Sequence, residues 1–226
     1  MSEETRARLV KFVTINDGTY GNYKNFLKIL EMYLLNLRIN QAQQILLIAD
    51  GAEWIWQHIP PLLNQLGCKK ITHYLLDFYH ATEHLQSFAD AAFNNEQARS
   101  TWFKASRSDL KKGKILSLIE SMKHHRKSTC GQKRKIINSQ INYFSKRASK
   151  GLFNYDKIRQ LNLPIGSGAI ESLIRQARDL RLKGNGKFWL QQNAEIILHA
   201  RCQWLSGSGN DFANYILTLR IYPAFS

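Results

Sequence analysis

Two short apolar runs constrain the fold of this chain most. Residues 44–49 (QILLIA) and 71–76 (ITHYLL) are each followed directly by an aspartate, Asp50 and Asp77. The first run is continuously apolar, which is typical of a strand that is buried on both faces, and the second predicts the next strand. The intervening EWIWQHI and PLLNQL predict two short helical pieces broken at Pro60-Pro61. A helical crossover predicts parallel neighbours, so both aspartates should lie at the same sheet edge, where ligands of α/β proteins bind.

The remaining pattern is mostly helical. It predicts an α/β protein with three regions: a first part of the α/β core, an all-α insertion and a set of C-terminal helices. Their expected ranges are 1–90, 91–160 and 161–226. The individual elements predicted are a strand at 8–15, a well-buried helix at 23–39, helices throughout 81–150 with a loop at 127–131, and helices at 169–182 and 191–205.

Charge is concentrated in the helical insertion. The chain carries a net charge of +15, and residues 104–150 contribute 14 basic and 2 acidic side chains to it. A local excess of this kind predicts a surface that contacts the phosphates of DNA, with Lys133, Arg134 and Lys135 among the contacts. The alternative is a helical face whose charges are merely solvated.

A third carboxylate follows a glycine-rich break at residues 164–168. Glu171 is expected in the first turn of the next helix, and with Asp50 and Asp77 it could bind hard divalent cations, which prefer oxygen ligands. A competing pattern runs from His80 to His84 (HATEH) and matches H-x-x-E-H, a zinc metalloprotease signature, with Glu171 as candidate third ligand. A purely structural role for His84 is the third interpretation.

Four ordered blocks resemble a known family. DGAEWIW (50–56), LDFYHATEHL (76–85), LPIGSGAIES (163–172) and RLKGNGKFW (181–189) are similar to blocks of bacterial insertion-sequence transposases of the DDE class, related to Mutator-type elements. The resemblance implies a ribonuclease-H-like core with a helical insertion before the last acidic residue. It also implies that Asp50 is the second catalytic aspartate, that Glu171 is the final glutamate, and that Asp77 and His80 form the family's Asp-x-x-His element.

The resemblance implies a metal-dependent reaction on DNA. Two Mg²⁺ (or Mn²⁺) ions, held by Asp50 and Glu171 among other ligands, would activate water or a 3′-hydroxyl and stabilise the departing oxygen. Arg175 and Arg178 follow Glu171 by four and seven residues, which predicts a shared helix face, although Arg175 could instead pair with Glu171. The basic side chains expected to neutralise DNA phosphates are Arg175, Arg178, Arg181, Lys183 and Lys187.

The sequence departs from the family at its start. Only one predicted strand precedes the helix at 23–39, so the first two strands and the first catalytic aspartate are expected to be missing, and Asp17 sits in a turn. The expectation is therefore a partial ribonuclease-H-like core, truncated at the N-terminus and inactive alone. Its sheet would be completed by a second polypeptide, and it could form a homodimer. A non-catalytic DNA-binding protein is the alternative.

Composition excludes some further classes. No apolar stretch approaches the roughly 18 residues of a membrane helix, and the first ten residues lack a signal-peptide pattern, which predicts a cytoplasmic, nucleoid-associated protein without a membrane partner. Three widely spaced cysteines, Cys68, Cys130 and Cys202, predict buried thiols rather than disulfides or a cysteine zinc site.

Overall fold

The computed structural model describes residues 15–68, 72–126 and 129–220, and for nine helical residues, Glu171 and Arg181 among them, it describes the backbone alone. The chain forms two compact units. The central unit is Leu37–Gly168. The terminal unit consists, within the described residues, of 15–36 and 169–220.

The described elements alternate little between strand and helix, and helices predominate. In chain order they are α1 (Tyr23–Asn36), a 3₁₀ turn (Ile39–Gln41), β1 (Ile45–Ala49), α2 (Glu53–Gln65), β2 (Thr72–Leu76), α3 (Phe78–Ala92), α4 (Glu96–Lys111), α5 (Ile115–Arg126), α6 (Gly131–Ala148), α7 (Tyr155–Gln160), α8 (Gly168–Ile174), a π-helical turn (Arg175–Asp179), α9 (Leu180–Leu182), α10 (Gln191–Leu205) and α11 (Gly209–Arg220). The protein is thus a mostly helical α/β protein with a small parallel sheet.

The two strands pair in parallel, as the sequence predicts. Ile45 lies opposite Thr72 and Ala49 opposite Leu76, and the Asp77 N–H donates to the Ala49 carbonyl over 2.8 Å. The expectation that residues 44–49 are buried on both faces is wrong, whereas Leu75 and Leu76 at the end of β2 are fully buried. Every residue of β1 is half-buried.

Residues beyond the sheet satisfy the polar groups at the end of β2. The N–H of Leu76 donates to the Leu152 carbonyl over 2.9 Å, and the Leu76 carbonyl accepts from the Tyr155 hydroxyl over 3.0 Å. Both groups lie in a fully buried residue, where an unpaired backbone group costs about as much as a lost hydrogen bond. The segment after α6 therefore completes the hydrogen bonding of Leu76.

The core of the central unit forms around α3. Phe78, Ala81, Leu85 and Phe88 are spaced by three or four residues, so they share one helix face, and all are at most 2% exposed. The helices predicted in 81–150 are confirmed as α3 to α6. The later helices contribute the rest of the core that surrounds this face of α3. Its fully buried members from the later helices are Leu110, Met122, Ile137, Phe144, Tyr155 and Ile158.

One helix runs through the two prolines. α2 is continuous from Glu53 to Gln65, so the prediction of two pieces broken at Pro60-Pro61 is wrong. The prolines remove two backbone donors from the helix, but Ile59, Leu62 and Leu63 are buried on a common face that spans them. Burial of this face stabilises the helix despite the lost hydrogen bonds.

The terminal unit contains the first and last described helices. α10 matches the predicted helix at 191–205, while α1 ends at Asn36, short of the predicted residue 39. α1 has no buried residue within the described chain, and Met32 and Leu35 are exposed, so the expectation of a well-buried helix is wrong. The predicted strand at 8–15 falls almost entirely outside the described residues.

The cysteines are free thiols, as predicted. Cys68 and Cys202 are buried, whereas Cys130 is exposed, contrary to the expected burial, because it directly precedes the exposed start of α6. Among the described helices there is none with the combination of length and apolar character that crossing a membrane requires.

The hydrogen bond from Tyr155 to Leu76 gives a prediction for stability. Substitution Tyr155→Phe should lower the free energy of unfolding by about 1–3 kcal/mol, because it leaves the buried Leu76 carbonyl without its donor. Urea unfolding would measure the change. The exposed Tyr79→Phe is the matched control and should stay within about 0.5 kcal/mol of the wild type; equal effects of the two substitutions would contradict the interpretation.

Candidate functional site

Asp77 lies at the carboxyl edge of the sheet. It follows β2, caps α3 and is only 3% exposed. Its Oδ1 accepts from the N–H groups of Tyr79 (2.7 Å) and His80 (3.1 Å), and its Oδ2 accepts from the Ser167 N–H (2.6 Å). Both carboxylate oxygens therefore accept hydrogen bonds from backbone N–H groups. As the N-cap of α3, Asp77 satisfies donors that the start of a helix otherwise leaves unpaired.

The glycine-rich break docks on the start of α3. The Phe78 N–H donates to the Ile165 carbonyl over 3.1 Å, next to the bond between Ser167 and Asp77. A Cβ on Gly166 would lie 2.7 Å from the Tyr79 ring, so a larger residue would displace this exposed ring. Two blocks that are some ninety residues apart in the sequence thus form one structural element.

Asp50 occupies the equivalent position after β1 but is exposed. Its Oδ1 accepts from the Ala52 N–H over 2.8 Å, and its backbone carbonyl accepts from the Trp56 Nε1–H over 3.0 Å. These contacts hold the turn and leave the other carboxylate oxygen open to solvent within the described residues. Of the two aspartates at this edge, Asp50 is the one with an oxygen available for a ligand.

His80 and His84 lie one helical turn apart on α3. Their ring centroids are 5.0 Å apart with the rings nearly perpendicular, and His80 Nδ1 lies 3.4 Å from Glu83 Oε2. His84 donates from Nδ1 to Gln140 Oε1 over 2.7 Å. Among the side chains described, no group of three histidine, cysteine or acidic residues is arranged to hold a metal, and the Glu171 side chain lies outside that description.

Two residues of α6 join this site without having been predicted. Arg147 donates from Nη2 to the Gly51 carbonyl over 2.6 Å, and its guanidinium carbon lies 3.6 Å from the centroid of the Tyr143 ring. The His84 ring stacks on Tyr143 at 3.5 Å and 20°. Nearby, Lys146 forms an ion pair with Glu53. The four-residue spacing of Tyr143 and Arg147 is the only signal in the sequence that pairs them.

Glu171 lies in α8, in the terminal unit, where only its backbone is described. The helix predicted at 169–182 is confirmed, but residues 175–179 form a π-helical turn. A π turn takes more residues than an α turn, so the expectation that Glu171, Arg175 and Arg178 share a face does not follow for Arg178. Such turns occur often at functional sites.

The predicted DNA contacts after Glu171 differ in their surroundings. Arg175 is exposed, as are Lys183 and Lys187. Asp179 accepts from Arg178 Nε over 2.8 Å and from Lys183 Nζ over 3.1 Å, and these hydrogen bonds lower the pKa of the Asp179 carboxyl. Asp179 thus offsets part of their charge. The side chain of Arg181 is outside the description.

The positive charge of the insertion lies partly beside the sheet edge and partly away from it. Lys133, Arg134 and Lys135 are exposed at the start of α6, and Lys133 Nζ donates over 2.5 Å to Asn94 Oδ1, beyond the end of α3 that is remote from the sheet. In the preceding helix α4, Arg107 and Lys111 lie 5.5 Å and 5.0 Å from the Phe78 ring centroid, immediately after Asp77. The described edge therefore carries cations near both of its aspartates.

Asp17 is engaged in a polar network of the terminal unit. Its carboxylate accepts from the Tyr33 hydroxyl (2.7 Å), from the Gly18 N–H (2.7 Å) and from His199 Nδ1 (2.6 Å). His199 Nε2 also lies 3.5 Å from Glu195 Oε1. The Asp17 side chain is 11% exposed, and its contacts tie the turn before α1 to α10.

Comparisons of the chain with protein-family models, with curated proteins and with solved structures find no match.

The contacts of Asp77 predict a large effect on stability. Asp77→Ala should lower the free energy of unfolding by about 2–4 kcal/mol, because three backbone N–H groups lose their acceptor. Asp77→Asn should fall between this variant and the wild type, since its amide oxygen can still accept from Tyr79 and His80, whereas the amide nitrogen that replaces Oδ2 cannot accept from Ser167. Urea unfolding measures all three proteins.

Asn95→Ala is the matched control for Asp77. Asn95 caps α4 through one hydrogen bond to the Ala98 N–H, so its loss should cost about 1 kcal/mol. An Asp77→Ala variant that is no less stable than Asn95→Ala would show that the carboxylate does not hold the three elements together.

The buried position of His84 predicts a dependence of stability on pH. Burial lowers the pKa of His84 below its ordinary value of 6.5, against a smaller opposing effect of the hydrogen bond to Gln140. The unfolded chain therefore takes up a proton first, and stability that is fully present above pH 6.5 decreases as the pH falls through that value. Urea midpoints at about pH 7.5 and about pH 5 should differ less in His84→Gln than in the wild type. An equal difference in both proteins would contradict the assignment.

Proposed function

We propose that the chain is a transposase of the DDE class of insertion sequences, which binds DNA through its basic insertion and cleaves phosphodiester bonds with Mg²⁺ or Mn²⁺. Asp50 and Glu171 are the proposed metal ligands, as the family resemblance implies, and the fold of the catalytic core is proposed to be ribonuclease-H-like. The partners predicted from the sequence, a second polypeptide and a second copy of the chain in a homodimer, stay part of the proposal. So does the expectation that the chain is inactive alone, which the experiment below tests directly.

The observation that carries the proposal is the carboxyl edge of β1 and β2. A parallel pair ends in two aspartates, and the buried one, Asp77, fixes the turn that precedes Glu171 in the chain. Cations of α4 and α6 flank this edge. An acidic residue with a free oxygen, surrounded by positive charge, suits a divalent ion that is shared with a phosphate.

The proposal gives different roles to the predicted site residues. Asp50 is suited to bind metal because its carboxylate is exposed, whereas Asp77 acts through the backbone that it holds. His80 stands in the first turn of α3 and is suited to contact the phosphate that is cleaved. The exposed residues Arg134, Lys135, Arg175 and Lys187 are suited to bind DNA phosphates further away.

A non-catalytic DNA-binding protein is the second candidate, and the engagement of the carboxylates favours it. Both carboxylate oxygens of Asp77 and of Asp17 accept hydrogen bonds within the protein. Neither residue is therefore suited to act as the first catalytic aspartate, which the family resemblance leaves unassigned. Removal of one bridging carboxylate should disrupt a site with two metal ions. The zinc metalloprotease suggested by H-x-x-E-H rests on the two histidines alone, because among the side chains described no group of three histidine, cysteine or acidic residues is arranged to hold a metal.

Nicking of supercoiled plasmid DNA distinguishes the candidates without knowledge of the element's ends. If the chain is an enzyme by itself, it should convert plasmid to the open circle in Mg²⁺ or Mn²⁺ and not in EDTA, and this result would overturn the expectation that it is inactive alone. Asp50→Ala and Glu171→Ala should each lower the rate at least about 100-fold, because each removes a ligand of the ions that stabilise the transition state. The control Glu96→Ala removes an exposed acid at the start of α4 and should retain the rate.

The binding of the same plasmid should be measured in EDTA at several salt concentrations. A wild type that binds in a strongly salt-dependent way but never nicks would replace the enzyme by the DNA-binding protein. Absence of both nicking and binding would overturn both candidates.

A further inference from the structure

The turn after β1 is held by an arginine that has no acidic partner among the side chains described. No carboxylate of the described residues lies within ion-pair distance of the Arg147 guanidinium, which instead donates to the Gly51 carbonyl (2.6 Å) and to the Tyr143 carbonyl (3.3 Å). Gly51 is the residue after Asp50. The positive charge of Arg147 is therefore directed at the backbone of the turn that carries the exposed carboxylate.

The Tyr143 ring fixes the direction of this arginine. The guanidinium lies 3.6 Å from the ring centroid and the His84 ring lies 3.5 Å from it. Two planar groups at such distances cannot share one face of a ring, so the phenol lies between them. This stack connects α3 to α6, and cation–π contact adds to its stability.

Gly51 confirms how closely the stack approaches the turn. A Cβ at this position would lie 2.6 Å from Arg147 Nη2 and 3.0 Å from Tyr143 Cε2. A side chain at this position would displace the Arg147 guanidinium, whereas the backbone angles do not require glycine, because φ is not positive. The Asp50-Gly51 pair thus fits the stack as well as the turn.

The pKa of the Tyr143 phenol is raised, so the ring is neutral near pH 7. Burial, the largest influence, raises the pKa of Tyr143, Arg147 lowers it, and Asp50, Asp77 and Glu83 raise it. The Tyr143 hydroxyl is buried without a hydrogen-bond partner among the described residues. The neutral Tyr143 ring therefore acts as a stacking partner for Arg147 and His84 and not as a nucleophile.

On the basis of the proposed function, we propose that Arg147, supported by Tyr143, is a positioning residue of the metal site: it fixes the Asp50-Gly51 turn and thereby the direction of the Asp50 carboxylate. The helical insertion then has two tasks, since it binds DNA and also orders the catalytic edge. Residues that orient metal ligands typically change metal affinity or activity by 10- to 100-fold when they are replaced.

The experiment compares Arg147→Ala, Arg147→Lys and the control Lys150→Ala, which removes the same charge from an exposed site three residues later. The first readout is hydrogen–deuterium exchange of a peptide that covers residues 50–57. The second is the Mg²⁺ concentration for half-maximal plasmid nicking, and the third is plasmid affinity in EDTA.

Arg147→Ala should speed exchange in residues 50–57 and raise the half-maximal Mg²⁺ concentration about tenfold, while plasmid affinity falls no more than in Lys150→Ala. Arg147→Lys should restore part of the Mg²⁺ response, because lysine can reach the Gly51 carbonyl but cannot lie flat on Tyr143. Lys150→Ala should leave exchange in residues 50–57 and the Mg²⁺ response as in the wild type.

Three results would overturn the positioning role: unchanged exchange in Arg147→Ala, equal effects of Arg147→Ala and Lys150→Ala, or faster exchange that also reaches residues 84–92 in the core of α3. A wild type that does not nick would overturn the proposed enzyme. In that case the exchange readout still decides whether Arg147 holds the turn, so the two failures can be told apart.

Discussion

The buried carboxylate of Asp77 is the interaction on which the central unit depends. It accepts hydrogen bonds from Tyr79 and His80 at the start of α3 and from Ser167 in the turn before α8. Its own N–H completes the pairing of β2 with β1. A strand end, a helix start and a distant turn are joined at one side chain, and its burial makes each of these hydrogen bonds costly to lose.

The same geometry explains how basic helices of the insertion come to lie next to the small sheet. α3 begins at Asp77 and presents its apolar face to α4 through α6, so the basic helices are packed next to the sheet edge. Arg107 and Lys111 then lie over Phe78, while Arg147 reaches Gly51. These three cations of the insertion are thereby brought near the aspartates, which is the feature that supports a function on phosphate-bearing substrates.

Periodicity and local chemistry carried most of the correct predictions. The runs before Asp50 and Asp77 could be recognised because strand pairs with a helical crossover are parallel, and α10 could be recognised from its apolar spacing. Local rules failed where tertiary contacts opposed them. α2 continues through Pro60 and Pro61 because a buried face spans them, and the π-helical turn at Arg175–Asp179 leaves no mark in the apolar pattern.

The sequence by itself determined the two aspartates at one sheet edge, the helical insertion and its positive charge, because these follow from residue order and short-range spacing. Only the tertiary structure decided that the Asp77 carboxylate accepts backbone hydrogen bonds, that Asp50 remains exposed, and that Arg147 and Tyr143 belong to the site. Hydrogen-bond partners and burial depend on residues that lie about ninety positions apart, and no local pattern encodes which of two similar carboxylates such a partner will reach.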